Sequence, residues 1–206
     1  MRQTLDHLSA IKPILASQSQ RRKELFTNLN IAFEVHSANI DEDSLLDDDP
    51  VKTVIRIARE KAYSVSEIYE HSRFIVAADT VVSIDNVILG KPKNAEDAFR
   101  MLATISGATH EVYTGVAIQY GKWAADFYEC TKVEFDEIPK ADIFEYIESG
   151  EVFDRAGAYG IQDAFGLAFI RAIHGDFFNV MGFPMNAFLR FLKENQSQIL
   201  GNAGSE

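Results

Sequence analysis

Two adjacent arginines, Arg21 and Arg22, follow directly on the polar turn SQSQ at residues 17–20. The stretch PILAS (13–17) reads as a short buried strand, and QRRKELFTNLN (20–30) reads as a helix with Leu25 and Leu29 on one face. A strand feeding a helix through such a turn brings the hydroxyls of Ser17 and Ser19 and the free helix N-terminal amides to one point, which suits a phosphate. Planar guanidinium forks match phosphate oxygens two at a time. Cations at a helix start also oppose the helix dipole unless an anion is bound there. The alternative is a solvated first helical turn, where such charges contribute little.

Asp79 ends the apolar run of FIVAADTVV (74–82). A carboxylate there is unfavourable unless it is ion-paired, hydrogen-bonded or metal-bound. Ligands gather at strand ends in α/β sheets, and neither Thr80 nor the neighbouring valines offer a cation. A structural aspartate capping the next turn is the alternative. Lys61 falls along the apolar stripe Val51, Val54, Ile55, Ala58, Ala62 and Val65 of a helix, so it either snorkels to water or reaches a buried or bound anion. Arg56, Arg59 and Glu60 have easier exits to solvent. Lys91, held between Gly90 and Pro92, precedes a helix capped by Asn94 and could meet a phosphate. The glycine-rich stretch DRAGAYGIQD (154–163) permits close backbone approach to a ligand, or is a plain loop, and Gln162 can read a base edge through its amide. Glu42 stands in the acidic run DEDSLLDDDP (41–50), which either binds a cation or is simply solvated. The histidines show no metal spacing, and Ser17 and Ser19 have no nearby histidine to activate them. Two phosphate motifs fail: Val81 stands where a haloacid dehalogenase-type phosphatase needs a second aspartate, and GKP has Pro92 where a P-loop needs Ser or Thr.

The elements that must position these residues alternate along the chain. Asp49 and Pro50 open the helix that carries Lys61. The strand after Asp79 turns back at Asp85-Asn86 as a hairpin. A helix runs from Asn94 to a stop at Gly107. HEVYTGVAIQY and AADFYECTKVEF form an antiparallel pair, KADIFEYIE is a helix ended by Gly150, GLAFIRAI is a strand, and a last helix opens at Pro184. The expectation is an α/β fold with a mixed twisted sheet and flanking helices; the antiparallel pair excludes a purely parallel doubly wound sheet. The chain divides into an N-terminal extension (1–12), a single domain (13–195) and a C-terminal tail (196–206), the two ends frayed or weakly docked.

With 206 residues, 47% of them hydrophobic, the chain can bury a full core. A net charge of -11 argues against nucleic acid or an anionic membrane as partner and makes any local cluster of cations informative. The single Cys130, placed in a strand as inert core or sheet surface, rules out an intrachain disulfide and fits a reducing compartment. No apolar run nears the roughly 18 residues of a membrane span, and no basic-then-apolar leader opens the chain. The cytoplasm is the expected location.

Taken in series, LASQSQRRKELF, AREKA, AADTVVSIDNVILGKP, SGATHEVYTGV, AGAYGIQ and GDFFNVMGFPM resemble, in order and spacing, the Maf family of nucleoside triphosphate pyrophosphatases, from about residue 13 to residue 193. The resemblance implies an inosine triphosphate pyrophosphatase-like fold with two lobes around a cleft, often in a homodimer. It implies hydrolysis between the α and β phosphates, giving a monophosphate and pyrophosphate with Mg2+ or Mn2+. Asp79 looks like the proton acceptor, and Ser17, Arg21, Arg22, Lys61 and Lys91 look like substrate and phosphate contacts, with Ser19 beside them. Glu42 falls where the family places an acid near the metal, which Asp79 also binds. The branch acting on dTTP and UTP, which this chain resembles at Arg21-Arg22, Asp79-Thr80 and Tyr159-Gly160-Ile161-Gln162, makes Arg22, Thr80 and Gln162 the specificity residues. Modified pyrimidine nucleotides belong to the same substrate class. The chain departs from the family pattern at Gln20, usually proline, and at Asp163, usually glycine, and DAFG is one residue longer than the commonest form. The alternatives are a purine-directed enzyme of the 7-methyl-GTP type and a non-catalytic nucleotide-binding regulator of cell division.

Overall fold

A computed structural model describes residues 2–203, with the side chains of residues 2–199. A seven-stranded mixed sheet runs through it. Strands β1 (Ile14–Leu15), β2 (Glu34–Val35) and β3 (Ile75–Ile84) pair in parallel in the order β2-β1-β3. On the other side β3 pairs antiparallel with β5 (Thr109–Tyr120), which continues to β6 (Trp123–Phe135) and β7 (Ile170–His174). The short β4 (Val87–Leu89) folds back on the end of β3. The hairpin turns at Asp85 and Asn86 with φ of 51° and 63°, the left-handed pair that a two-residue turn of this kind requires and that Asn and Asp tolerate.

This pairing leaves a gap that the sequence does not announce. β5 lines one edge of β3 from residue 75 to 83. On the opposite edge β1 holds Ile75 and Val76, and β4 holds Val82 to Ile84. Residues 77–81 have no strand neighbour there, and a cleft lined by Asp79, Thr80 and Val81 opens beside them.

Helix α3 (Pro50–Ile68) lies across β3 and β5. Asp49 caps it by accepting from the Val51 and Lys52 amides at 2.8 and 3.3 Å. Its buried face is Val54, Ile57, Ala58, Lys61, Ala62 and Val65. The expected stripe is shifted: Val51 and Ile55 are only half-buried, and Ile57 takes their place. The approach of α3 is close. A Cβ at Gly115, directly opposite Asp79 in the ladder, would come within 2.6 Å of the Val54 carbonyl.

A small apolar cluster of Ala58, Ala62 and Val65 with Ile14, Ile75, Ala77 and Ala117 seats α3 on the sheet, and two larger ones pack the other helices. One joins α4 (Ala95–Ile105), α5 (Lys140–Glu148) and Phe135, Tyr159 and Phe165. The other packs α2 (Gln20–Asn28) against α8 (Met185–Glu194) through Phe26, Phe183 and Phe188, whose rings meet 5.0–5.9 Å apart. Asn94, Gly107, Gly150 and Pro184 bound their helices as expected.

Two further expectations change. GLAFIRAI is not strand throughout: Ala164–Phe169 form helix α6, and β7 starts only at Ile170. Apolar runs this short do not distinguish the two states. The termini are not frayed within the described residues. Arg2–Ile11 form helix α1, whose Leu8 is 2% exposed, and Gln196–Ala203 form α9, whose Ile199 joins the same apolar cluster. α7 (Phe177–Met181) completes the set.

Gly115→Ala is expected to lower the unfolding free energy by about 1–3 kcal/mol, the usual range for overpacking. Denaturant unfolding checks this, and an unchanged midpoint would mean that α3 is not tightly seated on β5.

Candidate active site

The turn before α2 folds as a cap. Ser19 is the N-cap and accepts from the Arg22 amide at 3.5 Å, while Ser17 Oγ accepts from the Ser19 amide at 3.2 Å. Arg22 then points inward. Its Nε donates to the Gly182 carbonyl at 2.7 Å, one Nη to Thr80 Oγ1 at 2.9 Å and the other to Ser17 Oγ at 3.4 Å. Thr80 Oγ1 also meets Thr114 Oγ1 across the β3–β5 ladder at 2.9 Å, and Thr114 donates to the Asn179 carbonyl at 3.0 Å. Every direct partner of the Arg22 guanidinium is a neutral oxygen. Burial pushes its pKa down, and the field of Asp79 pushes it partly back. A buried cation without a paired carboxylate favours an incoming anion.

Arg21 turns the other way. It reaches across the cleft to Asp154, 3.3 Å to the carboxylate and 3.2 Å to the carbonyl. This links α2 to the 3₁₀ turn Glu151–Asp154.

The centre of the cleft is a three-charge cluster. Lys61 Nζ lies 2.8 Å from Asp79 Oδ1 and 3.0 Å from Glu42 Oε1. The Lys61 and Asp79 side chains are 11% and 10% exposed, while Glu42 is at the rim. Lys61 therefore does not snorkel; it reaches a buried anion. Two carboxylates against one ammonium leave one negative charge over. That leftover charge, on oxygens that line the cleft, is of the kind that suits a hard divalent cation. Among the described residues, no three acidic, histidine or cysteine side chains gather as a closed metal cage.

The opposite wall comes from the glycine-rich stretch. Tyr159 Oη meets His110 Nε2 at 2.8 Å beneath the loop. Gln162 lines the cleft, with Oε1 buried and without a hydrogen-bond partner. Lys91 is exposed at the mouth, and the Gly157 amide fastens its turn by donating to the Gly90 carbonyl at 3.0 Å. The cavity holds about 970 Å3.

Ser17, Ser19, Arg21, Arg22 and Lys61 from the first part of the chain thus share one cleft with Asp79, Thr80, Lys91 and Gln162, and Glu42 closes its rim. Several contributors were not legible in the sequence. Asp154, Thr114 and the Gly182 carbonyl act on Arg21, Thr80 and Arg22 from 133, 34 and 160 residues away. His110, without metal spacing, is 1% exposed and supports Tyr159 instead. Cys130 is half-buried in β6 opposite Tyr113, and its burial raises the thiol pKa, as an inert cysteine requires.

Burial lowers the His110 pKa from 6.5 to about 4. Between those values the unfolded chain binds a proton that the native protein refuses, so stability rises with pH through that window. The span corresponds to about 3 kcal/mol. Chemical denaturation at stepped pH is expected to show a shallower slope between pH 4 and 6.5 for His110→Gln than for the wild type. Equal slopes would mean that His110 titrates normally.

The family model described as "Maf-like protein" matches residues 12–195. A dTTP/UTP pyrophosphatase of Bacillus cytotoxicus is 44% identical over 186 residues, covering 90% of this chain and 96% of the relative. The corresponding dTTP/UTP pyrophosphatase of Clostridium perfringens strain 13 is 42% identical, covering 92% and 100%. That of Porphyromonas gingivalis is 41% identical, covering 92% and 97%. A solved nucleoside-triphosphatase / dITP/XTP pyrophosphatase of Mycobacterium abscessus aligns with 95% of this chain and 100% of its own at 13% identity and a TM-score of 0.43. With the family model spanning the whole cleft and relatives above 40% identity matching nearly end to end, this chain belongs to the Maf family.

Proposed function

We propose that this protein hydrolyses dTTP and UTP between the α and β phosphates, releasing the monophosphate and pyrophosphate. The observation that carries the reading is the convergence, in an acidic chain, of Arg21, Arg22, Lys61 and Lys91 around the buried carboxylate of Asp79. The names of the relatives supply the substrate class.

Arg22, with only neutral oxygens for partners, supplies a fixed positive field for the triphosphate. Arg21 and Lys91 approach it from opposite walls, and Ser17 and the first amides of α2 offer donors to its oxygens. Substrate would draw Arg21 away from Asp154, whose side chain is 73% exposed and readily solvated. Asp79 accepts the proton of the attacking water, and Lys61 holds that carboxylate in place. Asp79 and Glu42 would hold a divalent cation, Mg2+ or Mn2+, which when bound offsets phosphate charge and acidifies water. Positioning and charge stabilisation dominate a phosphoryl transfer of this kind.

The base is read at the other wall. Gln162 lines the cleft, and its amide can accept from the N3–H of uracil or thymine, where cytosine presents an acceptor. A site built around such a bond can reject the mismatched base strongly. Thr80 and Arg22 act on this choice from the floor of the cleft. The resemblance to the family also supports a cytoplasmic homodimer.

Asp79→Asn is expected to reduce pyrophosphate release by about 10²–10⁴-fold while nucleotide still binds, as read by calorimetry. A panel of canonical and modified triphosphates, with phosphate and pyrophosphate assayed separately, tests the reaction. Binding without pyrophosphate release would make the protein a sensor, and full activity of Asp79→Asn would remove Asp79 as the base.

A further inference from the structure

Asp163 stands at the N-cap of α6, a position where aspartate ordinarily accepts from the first helical amides. It makes no such bond. Its Oδ2 instead lies 2.8 Å from Arg155 Nη1 and accepts from Tyr146 Oη at 2.8 Å. The Arg155 and Asp163 side chains are 12% and 8% exposed. Arg155 is anchored behind the pair by donating from Nε to the Glu151 carbonyl at 2.7 Å. Tyr146, on α5, is fixed by its ring, which stacks on Phe165 of α6 at 4.2 Å and 9°.

This ion pair passes directly over Gly160. A Cβ on Gly160 would overlap both Arg155 Nη1 and Asp163 Oδ2. From beneath, Gly166 lets α6 press on the same loop, since a Cβ there would overlap the Gly160 carbonyl and come within 3.0 Å of the Ile161 carbonyl. Residues 159–162 are thus gripped on both faces, and Tyr159 is held at the near end by His110. Gln162 is the next residue before Asp163, and its amide is the polar group this segment offers to the base. The loop has no ladder to fix it, so a misplacement of a fraction of an ångström depends on side chains alone.

We propose that Arg155, Asp163 and Tyr146 are positioning residues for base selection, clamping the Tyr159–Gln162 segment so that the Gln162 amide meets one base edge and not another. This rests on the assignment of the cleft as a nucleotide site. Asp163 and Tyr146 have no contact with the Lys61–Asp79–Glu42 cluster or with Arg21, so their part of the clamp governs discrimination between bases and leaves the phosphate end untouched; Arg155 also stands 3.6 Å from the carboxylate of Asp154, the partner of Arg21, so the pyrophosphate control is read on the Asp163 and Tyr146 variants.

The test measures kcat and KM for UTP, dTTP, CTP and GTP, or dissociation constants for the same nucleotides if turnover is absent, together with inhibition by or binding of pyrophosphate. Asp163→Asn and Tyr146→Phe are each expected to narrow the ratio between best and worst base about tenfold, through KM rather than kcat. Pyrophosphate affinity stays unchanged. Arg155→Lys is expected to keep more of the ratio than Arg155→Met. Tyr146→Phe removes one hydroxyl and keeps the stacked ring, so it reports even if Asp163→Asn fails to fold. An unchanged ratio in Tyr146→Phe, or a loss of base and pyrophosphate binding in equal proportion, would overturn the clamp. A wild type that prefers purines would overturn the pyrimidine assignment instead, and the clamp would still be judged by the ratio.

Discussion

The cleft depends on a carboxylate placed in the middle of a long buried strand where one edge of that strand is bare. β3 is paired with β5 from residue 75 to 83, but β1 and β4 cover only its two ends on the other side. Asp79 and Thr80 face the space between them. A strand edge left open inside a protein is unfavourable unless water or ligand can reach it. Here the opening gives solvent access to a charge that would otherwise need complete internal compensation. The Lys61 ammonium supplies part of that compensation, and α3 can deliver it only because Gly115 lets the helix lie close on the sheet. Breaking one side of such a buried pair ordinarily costs about 3–5 kcal/mol, whereas the intact pair stabilises little.

Charge is distributed along the cleft with a consistent logic. The acids cluster around Lys61, where an excess of one negative charge remains. The cations stand around them without full partners: Arg22 among neutral oxygens, Lys91 at the mouth, Arg21 on a solvent-facing aspartate. A polyanion together with a divalent cation would complete both sets. In a chain of net charge -11 this local arrangement, rather than the overall field, must attract the ligand.

Much of this was legible in the residues themselves. The Asp49 cap, the Asp85-Asn86 turn, the Asn94 cap and the Gly107 and Gly150 stops are local chemistry, decided within a few residues. The polar candidates were legible for a different reason: Lys61 on an apolar stripe and Asp79 at the end of an apolar run conflict with burial unless something answers them. That each answers the other is decided only by folding, because the two lie 18 residues apart in different elements. Residues 166–169 are helix rather than the expected strand, since that short apolar run carries no period of its own. The termini looked loose because their few apolar residues find partners only when α1 and α9 meet across the fold.

The order of polar turns, caps and apolar periods in this chain determined its local elements and singled out the side chains unfavourable to bury. Those are short-range matters of hydrogen bonding and side-chain period. Tertiary structure alone decided that Arg22 would be sunk among the oxygens of Gly182, Thr80 and Ser17, and that Arg21, its neighbour, would cross to Asp154. It alone laid the Arg155–Asp163 pair over Gly160. The reason is physical: successive helical residues diverge by about 100° around the axis, so adjacent side chains enter different surroundings, and packing between distant segments determines what those surroundings contain.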